Sequence, residues 1–243
     1  MIELANVLQP LIDVANSILK FFHNNLGLSW GLAIVGLTIV TRVAILPLSL
    51  KQIRSMRSLQ ALQPQIKAIQ QRYKDDKQRL QRELMDFYKT NKINPFASCV
   101  PLLLQLPVFI ALFYTLRSGD FKQEINGAGW LGIPNLSEPA TGATLIILLA
   151  LYFVTMVGST SIMAASAEGT QRLMMFALPV IFTPLIISFP AGLIVYWITT
   201  NLWTMGQQAV VKQIIPPPPQ ASPKEVQAAK KPPPPPRKKK RRR

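Results

Sequence analysis

Five runs of about 20 mostly apolar residues restrict how this chain can fold more than any other feature. They cover residues 30–50, 95–116, 142–163, 173–189 and 191–211 of a 243-residue chain that is 49% hydrophobic. A helix needs about 20 such residues to cross the roughly 30 Å hydrocarbon core of a bilayer. Backbone groups in hydrocarbon must be paired within the protein, which favours helices. The sequence therefore predicts an all-α, polytopic membrane protein with five transmembrane helices.

The basic residues are divided unequally between the two sides that five spans would create. Twenty-three Lys and Arg residues would lie on the side of residues 51–94 and the C-terminus, against three on the other side. Short cytoplasmic loops are enriched in Lys and Arg, so we expect the N-terminus outside and the C-terminus in the cytoplasm. Residues 117–141 then form a short outside loop, in which Trp130 is expected to anchor at the membrane interface.

The segments around the spans predict an interfacial helix and a hairpin. Residues 1–28 are read as an amphipathic helix lying in the interface, because apolar residues recur at helical spacing at Leu4, Leu8, Leu11, Ala15, Ile18 and Phe22. Residues 29–50 are the first transmembrane helix, and residues 95–211 contain the other four. In residues 51–94, apolar residues three or four apart predict a cytoplasmic hairpin of two helices, with Asp75 capping the second. A solvated basic loop is the alternative.

The composition changes abruptly at the C-terminus. Residues 212–243 are rich in proline and in Lys and Arg, so we expect a disordered cytoplasmic tail without a core. Its last seven residues are all basic: Arg237, Lys238, Lys239, Lys240, Arg241, Arg242 and Arg243. Such a run binds nucleic acid or anionic lipid, or stays solvated.

Arg42 places a full positive charge near the middle of the first span. Nine residues, or roughly 13 Å of helix, separate it from Lys51, which is too far for its side chain to reach the cytoplasmic surface easily. None of the five runs contains Asp or Glu. An unpaired arginine facing lipid costs about 3 kcal/mol or more, so we expect Arg42 to line a hydrated cavity open to the cytoplasm. Local thinning of the bilayer and an acidic residue of a partner subunit are the alternatives.

A polar stripe on the last span supports such a cavity. One helical face carries Trp197, Thr200, Asn201, Thr204 and Gln208. A polar face is costly in lipid, so this stripe should face the protein interior. Thr38, one turn before Arg42, and Gln105 in the second span would add polar wall. Ordinary hydrogen bonding between helices is the alternative.

The spans lack the residue patterns of catalysis and pumping. They contain no Asp, Glu or His for a proton relay, no phosphate-binding glycine loop and no nucleophile with a recognisable base. Cys99 and His23 are the chain's single cysteine and histidine, so an intramolecular disulfide is impossible. We expect no enzymatic activity, cofactor, metal site or small-molecule substrate. The rival functions are a transporter, which would usually show internal repeats or an intramembrane carboxylate, and a passive scaffold, which would need no hydrated arginine.

Four segments resemble the YidC/Oxa/Alb family of membrane-protein insertases. They read TRVAILPLSLKQIRSMRSLQALQPQIKAIQQRYKDD, INPFASCVPLLLQLPVFIALFYTLR, WLGIPNLSEP and FPAGLIVYWITTNLWTMGQQ. The resemblance covers about residues 25–212 and is closest to members without a large periplasmic domain. It implies a five-helix core with a hydrophilic groove that is open to the cytoplasm and to lipid but closed on the outside. It also implies that Arg42 is the groove arginine and that Tyr196 and Trp197 contact substrate.

The resemblance implies a function and a set of partners. We expect insertion of short, single- or double-span proteins into the bilayer, alone or beside the Sec translocon. The partners would be nascent membrane proteins, membrane lipids and, through the basic tail, the ribosome and its RNA. We expect the bacterial plasma (inner) membrane, because the start lacks an Arg- and Ser-rich transit peptide. A thylakoid or other organellar inner membrane is the alternative.

Overall fold

A computed structural model describes residues 2–91, 100–164 and 169–214 of the chain. Within these ranges the secondary structure is helical apart from two isolated bridges, Trp130 with Ile133 and Pro139 with Pro190. The helices are α1 (Ile2–Lys20), a π-helical turn (Phe21–Asn25), α2 (Trp30–Ala61), α3 (Gln63–Arg72), α4 (Lys77–Thr90), α5 (Val100–Arg117), α6 (Gly119–Ile125), α7 (Gly142–Ala164), α8 (Gly169–Ile186) and α9 (Ala191–Ile214). The predicted helical fold class is confirmed.

Among the residues that the structure describes, two helices are long and apolar enough to cross a membrane. The qualifying segments are Trp30–Ser55 in α2 and Gly142–Ile162 in α7. Shorter apolar segments lie in α5 (Leu103–Arg117) and α8 (Arg172–Ile186), and α9 is 24 residues long. The predicted number of five spans therefore stays a prediction. Residues 92–99, which include the start of the predicted second span and Cys99, lie outside the described residues.

The chain divides into two compact units. Of the described residues, 2–50, 100–164 and 169–214 belong to the first unit, and residues 51–91 belong to the second. The division falls inside α2, which continues to Ala61. The predicted first transmembrane helix, residues 29–50, and the start of the predicted hairpin at residue 51 therefore form one continuous helix. Lys51, Gln52 and the residues after them are good helix formers, and the next proline, Pro64, opens α3.

In the second unit, α3 packs against α4. Ile66, Ile69 and Tyr73 are buried, as their spacing predicted. The expectation that Asp75 caps the second helix is wrong. Asp76 is the N-cap, and its Oδ1 atom accepts a hydrogen bond of 2.9 Å from the backbone N–H of Arg79. Either aspartate could serve as an N-cap, and the turn that begins at Tyr73 decides between them.

In the first unit, α9 packs against α7 and α5, while α1 packs against α5. Ile12, Ala15 and Leu19 of α1 are buried, whereas Leu11 and Val14 are exposed. The buried face of α1 is therefore rotated from the predicted stripe, and an apolar second face is left open. That second face suits the predicted position of α1 at a membrane interface, which stays a prediction.

One end of the first unit is covered by the connecting segments, and we call it the capped end. It contains α6, residues 126–141 and the turn at residues 187–190. The backbone N–H groups of Ala191 and Gly192 donate to the carbonyl groups of Glu138 and Leu136, both at 2.9 Å. These bonds satisfy N–H groups at the start of α9 that have no partner within the helix.

Apolar packing and two ion pairs hold the capped end together. The buried side chains include those of Leu116, Phe121, Ile125, Leu136 and Leu193. At the surface, Lys20 pairs with Glu124 at 2.6 Å, and Lys122 pairs with Glu138 at 2.7 Å. Exposed pairs of this kind contribute little to stability, so burial is the main source of cohesion.

Gly192 allows α9 to approach the capped end closely. A Cβ atom at this position would lie 2.8 Å from Cδ1 of Ile34, 3.1 Å from the carbonyl oxygen of Leu136 and 3.3 Å from Cδ1 of Leu116. The carbonyl oxygen belongs to the loop that accepts the hydrogen bond from Gly192, so it cannot move away freely. A side chain at this position would overpack the capped end.

We therefore expect Gly192→Ala to lower the free energy of unfolding by about 1–3 kcal/mol. Gly206→Ala is the matched control, because Gly206 lies in the same helix with no neighbouring atom within 4 Å of an added Cβ. It should raise stability by about 0.5–1 kcal/mol, as expected for alanine in a helix. Thermal unfolding in detergent, followed by circular dichroism, measures both. Equal stability of the two variants would contradict this account of the capped end.

Candidate functional site

Three helices of the first unit bring polar side chains together around Arg42. Gln105 of α5 donates a hydrogen bond from Nε2 to the hydroxyl oxygen of Tyr196 on α9. The guanidinium group of Arg42 on α2 interacts electrostatically with the same tyrosine. We call Arg42, Gln105 and Tyr196 the polar cluster. The sequence predicted that all three residues line one groove, and this stays a prediction. The Gln105–Tyr196 bond joins α5 to α9, and it is a hydrogen bond between helices of the kind that was the alternative interpretation for Gln105.

The three residues of the polar cluster are buried to different extents. The Tyr196 side chain is 1% exposed, whereas Arg42 and Gln105 are partly exposed. No carboxylate of the described residues pairs with Arg42; the ion pairs found elsewhere in the first unit are the two at the capped end. A charge removed from water requires either a polar partner or remaining hydration. Arg42 has no counter-ion here. Its charge is stabilised by the neighbouring neutral phenol of Tyr196 and by the water that its partial exposure allows.

The cluster is suited to binding rather than to covalent chemistry. A guanidinium group presents five N–H donors and cannot act as a base. Tyr196 and Gln105 add a hydroxyl and an amide. No group of three or more His, Cys, Asp or Glu residues that could hold a metal ion is found among the described residues. The arrangement can bind carboxylates or peptide carbonyl groups.

The polar stripe predicted on α9 divides between two environments. Thr200 lies one turn after Tyr196 and is buried, and its hydroxyl oxygen has no hydrogen-bond partner among the described residues. Asn201 points to another helix, where its Nδ2 atom lies 3.3 Å from Oγ1 of Thr155 on α7. Thr204 donates to the backbone carbonyl of Thr200 at 2.9 Å. Asn201 therefore forms the hydrogen bond between helices that was the alternative interpretation of the stripe.

Thr38 and Gln208 differ in their surroundings. Thr38 is fully buried, and its hydroxyl group donates to the carbonyl oxygen of Ile34 at 2.7 Å. It therefore presents no polar surface to a cavity in this structure. Gln208 is partly exposed, near the end of α9 remote from the capped end.

Trp197 lies in a cluster of aromatic rings. Its ring stacks on Phe109 of α5, with centroids 5.0 Å apart and planes 13° apart. Phe189 and Tyr152 lie at centroid distances of 5.8 Å and 5.9 Å. The tryptophan is partly buried. These contacts join α5, α7 and α9 between the polar cluster and the capped end.

A second set of buried polar residues lies on α7 and was not predicted from the sequence. Thr155, Ser159 and Thr160 are buried. Thr155 and Ser159 donate to backbone carbonyl groups of their own helix. Their spacing of four and five residues within an apolar helix was the signal that could have revealed them. Such hydroxyl groups are common where membrane helices pack closely.

The basic residues Arg237 to Arg243 lie outside the described residues. Their predicted role in binding ribosomes or anionic lipid stays a prediction.

Comparisons with known proteins agree with the family resemblance. The family described as "60Kd inner membrane protein" matches residues 21–218. The chain is similar to "Membrane protein insertase YidC" of Cellvibrio japonicus, at 38% identity over 197 residues, which is 81% of this chain and 35% of the relative. It is also similar to the protein of the same name from Streptomyces avermitilis, at 37% identity over 227 residues, covering 79% of this chain and 53% of the relative.

A solved structure is similar as well. It is titled "Active YidC insertase crystal structure with the first transmembrane domain resolved" and has a TM-score of 0.64 at 28% identity. The similarity covers 86% of this chain and 46% of the other. The chain thus spans about a third to a half of the length of the proteins that it matches.

Tyr196→Phe tests the polar cluster. Removing the hydroxyl group leaves the amide of Gln105 without its acceptor and Arg42 without its polar neighbour. We expect stability to fall by about 1–2 kcal/mol, the cost of unpairing a buried polar group between membrane helices. Thermal unfolding in detergent measures the loss.

Tyr152→Phe is the control for this prediction. Tyr152 is another buried tyrosine and contacts the ring of Trp197, but it does not take part in the polar cluster. Its loss of stability should be clearly smaller. An equal loss in both variants would assign the effect to burial of any phenol rather than to the contact with Arg42 and Gln105.

Proposed function

Since the chain belongs to the YidC/Oxa/Alb family of membrane-protein insertases, we propose that it inserts short proteins with one or two spans into the bilayer. The polar N-terminal tail of the substrate would pass through a hydrophilic groove that contains Arg42 and opens to the cytoplasm. The family description and the bacterial relatives support an inner-membrane location. The charge distribution supports an outside N-terminus and a cytoplasmic C-terminus.

The observation that carries the proposal is the polar cluster. Arg42 lies within a span-length apolar helix, has no carboxylate partner among the described residues, and interacts electrostatically with the nearby Tyr196 instead. Its charge is therefore not neutralised by an ion pair within the described residues. An acidic group on an incoming chain would supply the missing partner.

The capped end supports passage from one side only. Buried apolar side chains and backbone hydrogen bonds fill that end of the first unit, whereas Arg42 and Gln105 keep partial exposure. A substrate tail would enter from the opposite end. With the predicted orientation, the open end faces the cytoplasm.

Electrostatic attraction and the transfer of apolar surface into lipid would drive insertion of the substrate without a chemical energy source. Two unit charges 4 Å apart attract by about 1 kcal/mol in water and about 4 kcal/mol at an effective dielectric constant of 20, so the partial burial of Arg42 strengthens its attraction. Transfer of the substrate's apolar segment into lipid contributes about 25 cal/mol per Å². The groove lowers the barrier for the polar tail, and lipid provides the final stabilisation.

The second unit and the tail suggest how substrates reach the groove. The packed pair α3 and α4 would receive the emerging chain on the cytoplasmic side. The tail would hold translating ribosomes nearby through RNA phosphates, and the protein would act alone or beside the Sec translocon. Nascent membrane proteins and lipids are the partners that this function requires.

Arg42→Ala should reduce the insertion rate of a substrate with an acidic tail by about tenfold, which corresponds to about 1.4 kcal/mol of lost attraction. Insertion of the same substrate with a neutral tail should change little. Arg42→Lys should keep most of the activity, because it keeps the charge. Protease protection of newly synthesised substrate in reconstituted vesicles measures each rate.

Arg117→Ala is the matched control, because Arg117 is an exposed arginine next to the capped end. It should leave both substrates unaffected. If Arg42→Ala inserted acidic-tailed and neutral-tailed substrates equally well, the charge would have no role in insertion.

Deletion of residues 215–243, which leaves α9 complete, should abolish co-sedimentation with ribosomes at low salt. The deleted segment carries ten Lys and Arg residues, and contacts with nucleic-acid phosphates weaken steeply as salt rises. Replacing only Arg237 to Arg243 by glutamine isolates the basic run from the proline-rich part. Unchanged ribosome binding, together with loss of binding to phosphatidylglycerol vesicles, would assign the tail to anionic lipid instead.

A further inference from the structure

A tight turn at the capped end presents an apolar side chain to the outside of the protein. The backbone groups of Trp130 and Ile133 exchange two hydrogen bonds of 2.9 Å. Between them, Leu131 and Gly132 have φ angles of 46° and 81°. The side chain of Leu131 is 82% exposed, the highest value among the large hydrophobic residues of the described part of the chain.

Leucine is an unusual residue for this turn. A turn with two successive positive φ angles favours glycine, asparagine or aspartate, because a larger side chain is strained in that conformation. Gly132 fits this preference, and Leu131 does not. In water, Leu131 would thus carry two free-energy penalties: one for its backbone conformation and one for its exposed apolar surface. An apolar surrounding for the turn would remove the second penalty.

The turn is fixed between the first turns of the two span-length helices. The ring of Trp130 packs on Gly31 at the start of α2, where an added Cβ atom would lie 2.1 Å from Cδ2 of the tryptophan. The hydroxyl group of Thr144 at the start of α7 donates to the carbonyl oxygen of Gly132 at 3.3 Å. The predicted interfacial anchor, Trp130, therefore packs on α2, and its neighbour Leu131 takes the exposed position.

The apolar surface continues from the turn along both helices. Leu32 of α2 and Ile146 and Ile147 of α7 are exposed within the first two turns of these helices. Both helices have the length and composition of membrane spans, so their exposed apolar residues face hydrocarbon once the protein is in a bilayer. The turn lies where this surface begins, so in a bilayer spanned by α2 and α7 it would lie near the boundary between headgroups and acyl chains.

We propose that the Trp130–Ile133 turn inserts Leu131 into the bilayer leaflet at the capped end. The ligand is phospholipid, bound through the acyl chains just below the headgroups. The anchor holds the loop of residues 126–141 against the membrane and so maintains the capped end at a constant depth. This role is independent of insertase activity, since it requires only that α2 and α7 span a bilayer.

The full chain with Cys99→Ser and Leu131→Cys is labelled with the environment-sensitive fluorophore NBD and placed in vesicles of phosphatidylethanolamine and phosphatidylglycerol. Removing the single native cysteine leaves one labelling site. The control carries Gln123→Cys in the same background, because Gln123 is an exposed polar residue of α6 at the same end. Gel filtration checks that both labelled proteins remain monodisperse.

The label at position 131 should show blue-shifted emission, strong quenching by lipids that carry a doxyl group high on the acyl chain, and little quenching by aqueous iodide. The label at position 123 should show the opposite pattern. Iodide quenching at position 131 equal to that at position 123 would overturn the proposal. Quenching at position 131 only by doxyl groups near the bilayer centre would also overturn it, because the turn would then lie far below the interface.

Discussion

The guanidinium group of Arg42 is the constraint on which the polar part of the first unit depends. The charge lies on an apolar helix, and none of the described acidic residues reaches it. It must therefore keep part of its hydration and use neutral polar groups as neighbours. Tyr196 supplies such a neighbour, and Gln105 orients the phenol through its amide. A hydrogen bond thus links α5 to α9 at this point, and the charge of Arg42 on α2 acts on the same tyrosine.

The two ends of the first unit differ in how their helices are packed and bonded. At the capped end, small residues allow close approach, and the start of α9 donates its free N–H groups to the loop at residues 136–138. Away from that end, polar side chains on α7 and α9 replace apolar packing, and Asn201 joins Thr155. The aromatic contacts of Trp197 with Phe109 and Tyr152 lie between the two. In the proposed function, this asymmetry would let a polar segment enter the protein from one side and would keep it from leaving through the other.

Much of the helical architecture followed from hydrophobic periodicity, and its exact limits did not. Residues 142–163 and 191–211 were predicted as helices, and α7 and α9 differ from these limits by at most three residues. The predicted first span and the start of the predicted hairpin are one continuous helix, α2, because the change from apolar to basic residues at Lys51 alters hydropathy without interrupting helical propensity. The cap of α4 was displaced by one residue, since Asp75 and Asp76 are equivalent in type and only the preceding turn distinguishes them.

For the candidate site too, some features followed from the sequence and others only from the tertiary structure. The sequence by itself determined three features: the chain forms apolar helices, Arg42 has no acidic partner within the five runs, and polar residues share one face of α9. Each of these features depends only on residue type and on spacing along the chain. Only the tertiary structure decided that Gln105 bonds to Tyr196 near Arg42, that Asn201 bonds to α7, that Thr38 is buried in the core and that Leu131 is more exposed than Trp130. These outcomes depend on the rotation of each helix about its axis and on the path of the connecting loops, and both are set by packing between residues far apart in the chain.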